Sequence, residues 1–209
     1  MSLRNLIVLG IVVSVGFWSL RPDVVVVDPS AFDSLLLTQV VDQSVQGEPV
    51  QLDIQDAPAL DWGGIDLRPR ALFGMESRVL GTRRYRFGKE TDVSNIDVAF
   101  GWGRMADPEI VSQLSISQSG RFYFWRAKEL PIPAAEIVRS SANMHMIAAN
   151  DGVRRELKRL KEGDQVRLHG VLVDVHWPNG GYWRTSLTRE DSGAGACEIV
   201  WVHHLERLP

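Results

Sequence analysis

The stretch QVRLHGVLVDVHW, residues 165–177, carries apolar side chains at both parities. Val166, Leu168 and Leu172 share one parity; Val171, Val173, Val175 and Trp177 share the other, and the change falls at Gly170. Successive side chains of an extended chain point to opposite faces, so this strand contributes apolar surface to both faces of its sheet. A glycine at the changeover predicts a bulge or a sharp coil, the device by which a small closed barrel curves.

Working outward, Asn150 caps a helix predicted over about Asp151–Lys161, with Val153, Leu157 and Leu160 on one face and Gly163 past its end. The cations of that helix, Arg154, Arg155, Lys158, Arg159 and Lys161, read as a solvated face. Downstream, Pro178-Asn179-Gly180-Gly181 supplies a turn and Tyr182–Leu187 a returning strand, which predicts a hairpin. Glu198–His203 reads as a last, largely buried strand. The pattern Gly163-Asp164-x-Val166-x-Leu168-x-Gly170-x-Leu172-Val173 resembles the curled strand of OB-fold-like barrels over about the last 45 residues. Gly-Asp-x-Val before a strand also occurs in SH3-like barrels. The expected class is α+β: an N-terminal transmembrane helix, then a curled antiparallel β-barrel-like (OB-like) domain with two or three short helices.

A five-stranded barrel has to draw its remaining strands from residues 72–127. Within that range, 72–87, 95–102 and 121–127 read as strands, rich in β-branched and aromatic residues and punctuated by glycine. Asp107-Pro108-Glu109 supplies an N-cap, a proline at the first helical position and an early acid, so a short helix starts there; another is expected over Ala134–Ser140. Residues 22–69, broken by Pro22, Pro29, Gly47, Pro49, Pro58, Gly63, Gly64 and Pro69, read as a spacer with one or two short strands or helical turns. The compact β-rich domain is expected over 70–209.

Leu6–Leu20 carries no charge, follows Arg4 and ends at Arg21-Pro22, with Trp18 where an interfacial aromatic sits. Residues 1–21 are therefore read as a transmembrane anchor or signal segment, meeting the inner membrane through residues 5–20. The apolar run continues past the small pair Ser14 and Gly16, which favours an uncleaved anchor over a cleaved signal. Arg4 before the segment and Asp23 and Asp28 after it place the domain in the periplasm. The chain as a whole resembles membrane-anchored and periplasmic proteins of bacteria.

Composition narrows the function classes. With 44% hydrophobic residues, seven Trp and seven Phe, the chain has the material for a packed core. Its formal net charge of -3 gives no overall field to concentrate a polyanion, and nucleic acid is not an expected partner. The single cysteine, Cys197, excludes an intramolecular disulfide and a Cys-based zinc site. The five histidines show no ligand spacing, so neither a metal nor a cofactor is expected.

Candidate chemistry gathers in Thr185–Glu198, which holds Ser186, Arg189, Asp191, Cys197 and Glu198 beside Gly193-Ala194-Gly195. A nucleophilic Cys197 needs a base, for which His145 or His169 has to come within hydrogen-bond reach. Against this stand the commoner roles of a lone cysteine as a small hydrophobe and of a histidine between two methionines as a satisfied core residue. Trp102 and Trp125, with Arg121 and Arg126 alongside, are the candidates for a stacking platform for sugars or bases, although strand aromatics more often form core. Arg83, Arg84 and Arg86 make a small basic cluster suited to lipid headgroups or an acidic partner. The leading expectation is a non-enzymatic, membrane-tethered interaction or accessory domain with an envelope protein partner. An envelope hydrolase or transferase using Cys197 and His145, and an oligosaccharide or oligonucleotide binder using the aromatic strands, stand beside it.

Overall fold

The computed structural model describes residues 47–55, 57–188 and 197–209. The expected membrane segment, Arg189, Asp191 and Gly193–Gly195 lie outside the described residues. Among those residues, no helix is long and apolar enough to cross a membrane. The protein is mixed α+β with a mostly sheet core.

In chain order the strands are β1 (Val50–Asp53), β2 (Leu60–Trp62), β3 (Ile65–Arg84), β4 (Ile96–Gly101), β5 (Ser115–Ser119), β6 (Phe122–Arg126), β7 (Ser141–Ala148), β8 (Gln165–His176), β9 (Tyr182–Trp183) and β10 (Glu198–Arg207). The helices are α1 (Pro108–Val111), α2 (Ala134–Arg139) and α3 (Asp151–Arg159). The pairings run in a circuit. Strand β3 is antiparallel to β4, β4 to β7, and β7 is parallel to β10; β10 is then antiparallel to β8, and β8 antiparallel to β3. Strands β1 and β2 add to β3, β9 adds to β8, and β5 with β6 forms a separate two-stranded sheet.

The expectation for 165–177 is met in its main point: β8 buries both faces. Val166, Leu168 and Leu172 join one apolar cluster with Phe73, Met75, Val98, Phe100, Met144, Met146, Val200 and Val202. Val171, Val173, Val175 and Trp177 join a second with Leu67, Ile147, Ile199 and Trp201. Register shifts lie on both neighbouring strands, between Val202 and His204 of β10 and between Pro69 and Ala71 of β3, and Gly170 pairs with Val202 at the first of them. A Cβ at Gly170 would sit 2.6 Å from the Trp201 carbonyl oxygen, so only glycine lets the two backbones meet there. Helix α3 closes over the first cluster with Val153 and Leu157, and Leu160 at its end; its N-cap is Asn150, whose side chain accepts from Val153 N at 2.9 Å.

Several elements differ from the sequence reading. The strand expected at 72 starts at Ile65, so the described part of the 22–69 stretch holds, besides the two short strands expected of it (β1 and β2), the beginning of β3. The returning strand expected over Tyr182–Leu187 is two residues long, because the Thr185 amide turns to the Asp174 carboxylate (3.0 Å) instead of continuing the ladder. Residues 141–148, for which the sequence predicts no element, form a central strand, and β5 and β6 stay out of the circuit that β7 completes.

Candidate functional site

Alternation along β4 and β7 sends Val98, Phe100, Met144 and Met146 to the inner cluster and leaves Asp97, Asn143 and His145 on the outer face. Asp97 and His145 are direct cross-strand partners. A charged residue inside an apolar strand must be paired once buried, and Asp97 is fully buried. Its Oδ1 accepts from His145 Nδ1 at 2.9 Å and from Arg121 Nη1 at 2.8 Å; Oδ2 has no hydrogen-bond partner among the described residues.

Arg121 reaches this carboxylate from the turn of the β5–β6 hairpin. Gly120 and Arg121 have φ of 59° and 72°, the left-handed pair that a tight two-residue hairpin turn requires. A non-glycine residue pays a conformational penalty there, and the side chain of Arg121 accounts for its presence. Besides Asp97, the guanidinium donates to the Ser94 carbonyl at 2.9 Å and lies 4.1 Å over the Tyr85 ring. The Arg121 amide donates to the Tyr85 hydroxyl at 3.1 Å. Burial first, and then the Asp97 charge, hold the Tyr85 phenol above its ordinary value.

The hairpin is sewn down further along. Asn143 donates to the Arg121 carbonyl at 3.0 Å and accepts from Gln118 at 2.8 Å, and the Tyr123 hydroxyl bonds Ser141. Burial pushes the Tyr123 phenol up to about 12. Trp183 of β9 closes the other side, 4.4 Å from the His145 ring between centroids.

The structure brings several sequence candidates to this neighbourhood and disperses the rest. His145 is 3% exposed at the centre. Cys197, half-buried, places Sγ 3.7 Å from the Arg121 carbonyl that Asn143 also binds. Ser186 is buried, its amide donating to the Cys197 carbonyl at 3.1 Å and its hydroxyl to the Thr188 carbonyl at 2.8 Å; Glu198 is buried at the start of β10. Trp102 is 1% exposed in the inner cluster and offers no face to a ligand, while Trp125 packs against Leu80, Met105 and Ile137 beneath the hairpin. His169 lies on β8, stacked on His204 at 5.3 Å. No group of three or more His, Cys, Asp or Glu side chains among the described residues is placed to hold a metal.

Asp97, Asn143, Tyr85 and Trp183 were not singled out by sequence. One signal was available: an aspartate inside the apolar run Asn95–Trp102 announces a buried, paired carboxylate. The second was Gly120-Arg121 between the alternating runs 115–119 and 122–126, which marks a hairpin turn.

Chemically, the arrangement is a carboxylate holding an imidazole in one tautomer, as an orienting acid holds a catalytic base. Here the same carboxylate also neutralises Arg121, and the covering hairpin walls the pair from solvent. The chain matches no protein-family model, and no curated protein or solved structure matches it.

Proposed function

We propose that this chain is a non-enzymatic accessory or interaction domain of the bacterial envelope, tethered to the inner membrane through residues 5–20 and built on an OB-like curled barrel. The observation that carries the non-enzymatic reading is the Asp97–His145–Arg121 cluster. Its acid–base pair is buried and engaged in fastening the β5–β6 hairpin across β4 and β7, where a catalytic pair would face a cleft. The barrel reading is supported by the circuit β3-β4-β7-β10-β8-β3, by the parallel β7–β10 pair and by α3 between β7 and β8. The tether and the periplasmic placement are supported by the uncharged run Leu6–Leu20 and its flanking charges.

The test is in-cell crosslinking of the tagged full-length chain, followed by purification from membranes. The expected result is a reproducible envelope partner that is lost when the Thr185–Glu198 segment is altered. Recovery of the chain in the soluble fraction sinks the tether, and absence of a partner across growth conditions sinks the interaction reading.

A thiol enzyme is the second reading, favoured by one observation: Cys197 Sγ abuts the backbone of the residue that grips Asp97. Cys197→Ser decides it. An unchanged cellular phenotype and an unchanged melting temperature eliminate thiol catalysis, whereas a lost phenotype with the fold intact establishes it.

A further inference from the structure

Two basic features that are far apart in sequence meet in space. Arg84 and Arg86, at and beyond the end of β3, face Arg154 and Lys158 of α3 across a cleft of about 700 Å³. The Arg84 guanidinium donates to the Lys158 backbone carbonyl, which fixes the strand end against the helix. Asp92 is the one acid among the residues lining the cleft. Arg154 is paired with the exposed Asp151 at 2.9 Å, but the side chains of Arg86 and Lys158 have no ion-pair partner among the described residues. In a chain of net charge -3 this is a local excess of positive charge. The cleft is not uniformly polar. Trp62 and Tyr85, both partly exposed, stand among its lining residues.

We infer that this cleft binds a phosphoryl group carried on an apolar or planar body. Guanidinium forks match phosphate oxygens in pairs, and the Arg86 guanidinium with the Lys158 ammonium, backed by the fields of Arg84 and Arg154, suits a dianion better than a single carboxylate. The aromatic side chains of Trp62 and Tyr85 account for the body, as small-molecule sites combine apolar lining with a few placed polar groups. Such a ligand is either a soluble phosphorylated metabolite or the headgroup region of a phospholipid.

The experiment is calorimetric titration of the full-length chain in an uncharged detergent with three probes: phenyl phosphate, a monoacylglycerol phosphate and phenol. Each is repeated on the Arg86→Ala/Lys158→Ala double variant, which changes two exposed side chains outside the Asp97 cluster. Saturable binding of a phosphorylated probe is expected at a Kd on the order of 1 mM or tighter, weakened about tenfold or more in the double variant. Binding of phenyl phosphate assigns a soluble ligand; binding of the acyl phosphate alone assigns a lipid headgroup. The inference is overturned if neither phosphate binds, if phenol binds as well as phenyl phosphate, or if the double variant binds unchanged. Melting curves of the double variant, expected to overlay those of the parent, separate lost binding from lost folding. Failure of this site leaves the proposed accessory role untouched, because crosslinking tests that role on a different surface.

Discussion

Arg121 and Arg86 are the same side chain in opposite settings, one stacked on Tyr85 and the other its neighbour in the chain. Arg121 has a side chain 17% exposed, bonded to Asp97 and stacked on the Tyr85 ring. Arg86 is exposed on the rim of the cleft that Tyr85 also lines. In the first setting the charge is withdrawn from water and held by a buried carboxylate, so it organises the fold. In the second it keeps its hydration and its field, and is available to a ligand. The role of an arginine is thus set by its desolvation and its partner more than by its type.

Removal of the carboxylate at the centre of the cluster carries the greatest cost. Asp97→Ala leaves Arg121 and His145 without their shared acceptor, and a loss of about 3–5 kcal/mol is expected in urea unfolding, the cost typical of a broken buried pair. A loss below about 1 kcal/mol would show that water enters the cluster and that it is not a clamp. Arg121→Gly comes next. It removes the guanidinium but relieves a left-handed residue worth roughly 1 kcal/mol, so its net cost should fall short of the Asp97 change by about that amount. Asn143→Ala, with the hairpin backbone as its partner, should cost about 1–3 kcal/mol by leaving buried polar groups unsatisfied.

At the other end of the scale, Arg86→Ala alone should change stability by no more than about 0.5 kcal/mol, as expected of an exposed side chain with no partner. A larger loss would place Arg86 with Arg121 and dissolve the contrast. The smallest expected effect is at His176, whose imidazole is held below its ordinary value by burial first and by the Arg68 charge second. The folded state then binds the proton less readily than the unfolded chain. Its contribution to stability is therefore present above the ordinary histidine value of 6.5 and lost as pH falls through it toward the folded value. Arg68→Ala should move the His176 titration upward in an NMR pH series, and an unmoved titration would remove Arg68 as a cause.

Local signals were legible where they depend on neighbours in the chain. Asp107 caps α1 by accepting from the Glu109 amide at 2.8 Å, and Asn150 caps α3, because a cap needs only residues a turn apart. The buried two-faced strand β8 was legible because alternation is a property of the chain itself. Strand β7 was not, since Asn143 and His145 break its apolar pattern and only their pairing with the hairpin turn and with Asp97 makes burial tolerable. The candidate site was half legible for the same reason. His145 and Cys197 stood out by type, whereas Asp97 and Tyr85 gain meaning from partners 24 to 48 residues away.

By itself the sequence determined the α+β class, the helix caps, the apolar strand at the centre and the charge pattern of the N-terminal segment, all of which follow from short-range periodicity and composition. Tertiary structure alone decided that β7 closes the strand circuit, that the β5–β6 hairpin folds over its outer face, and that Arg121 is clamped while Arg86 is left open. The physical reason is that pairing between distant strands and the desolvation of a charge are set by what the folded chain brings alongside, and no local pattern encodes that neighbour.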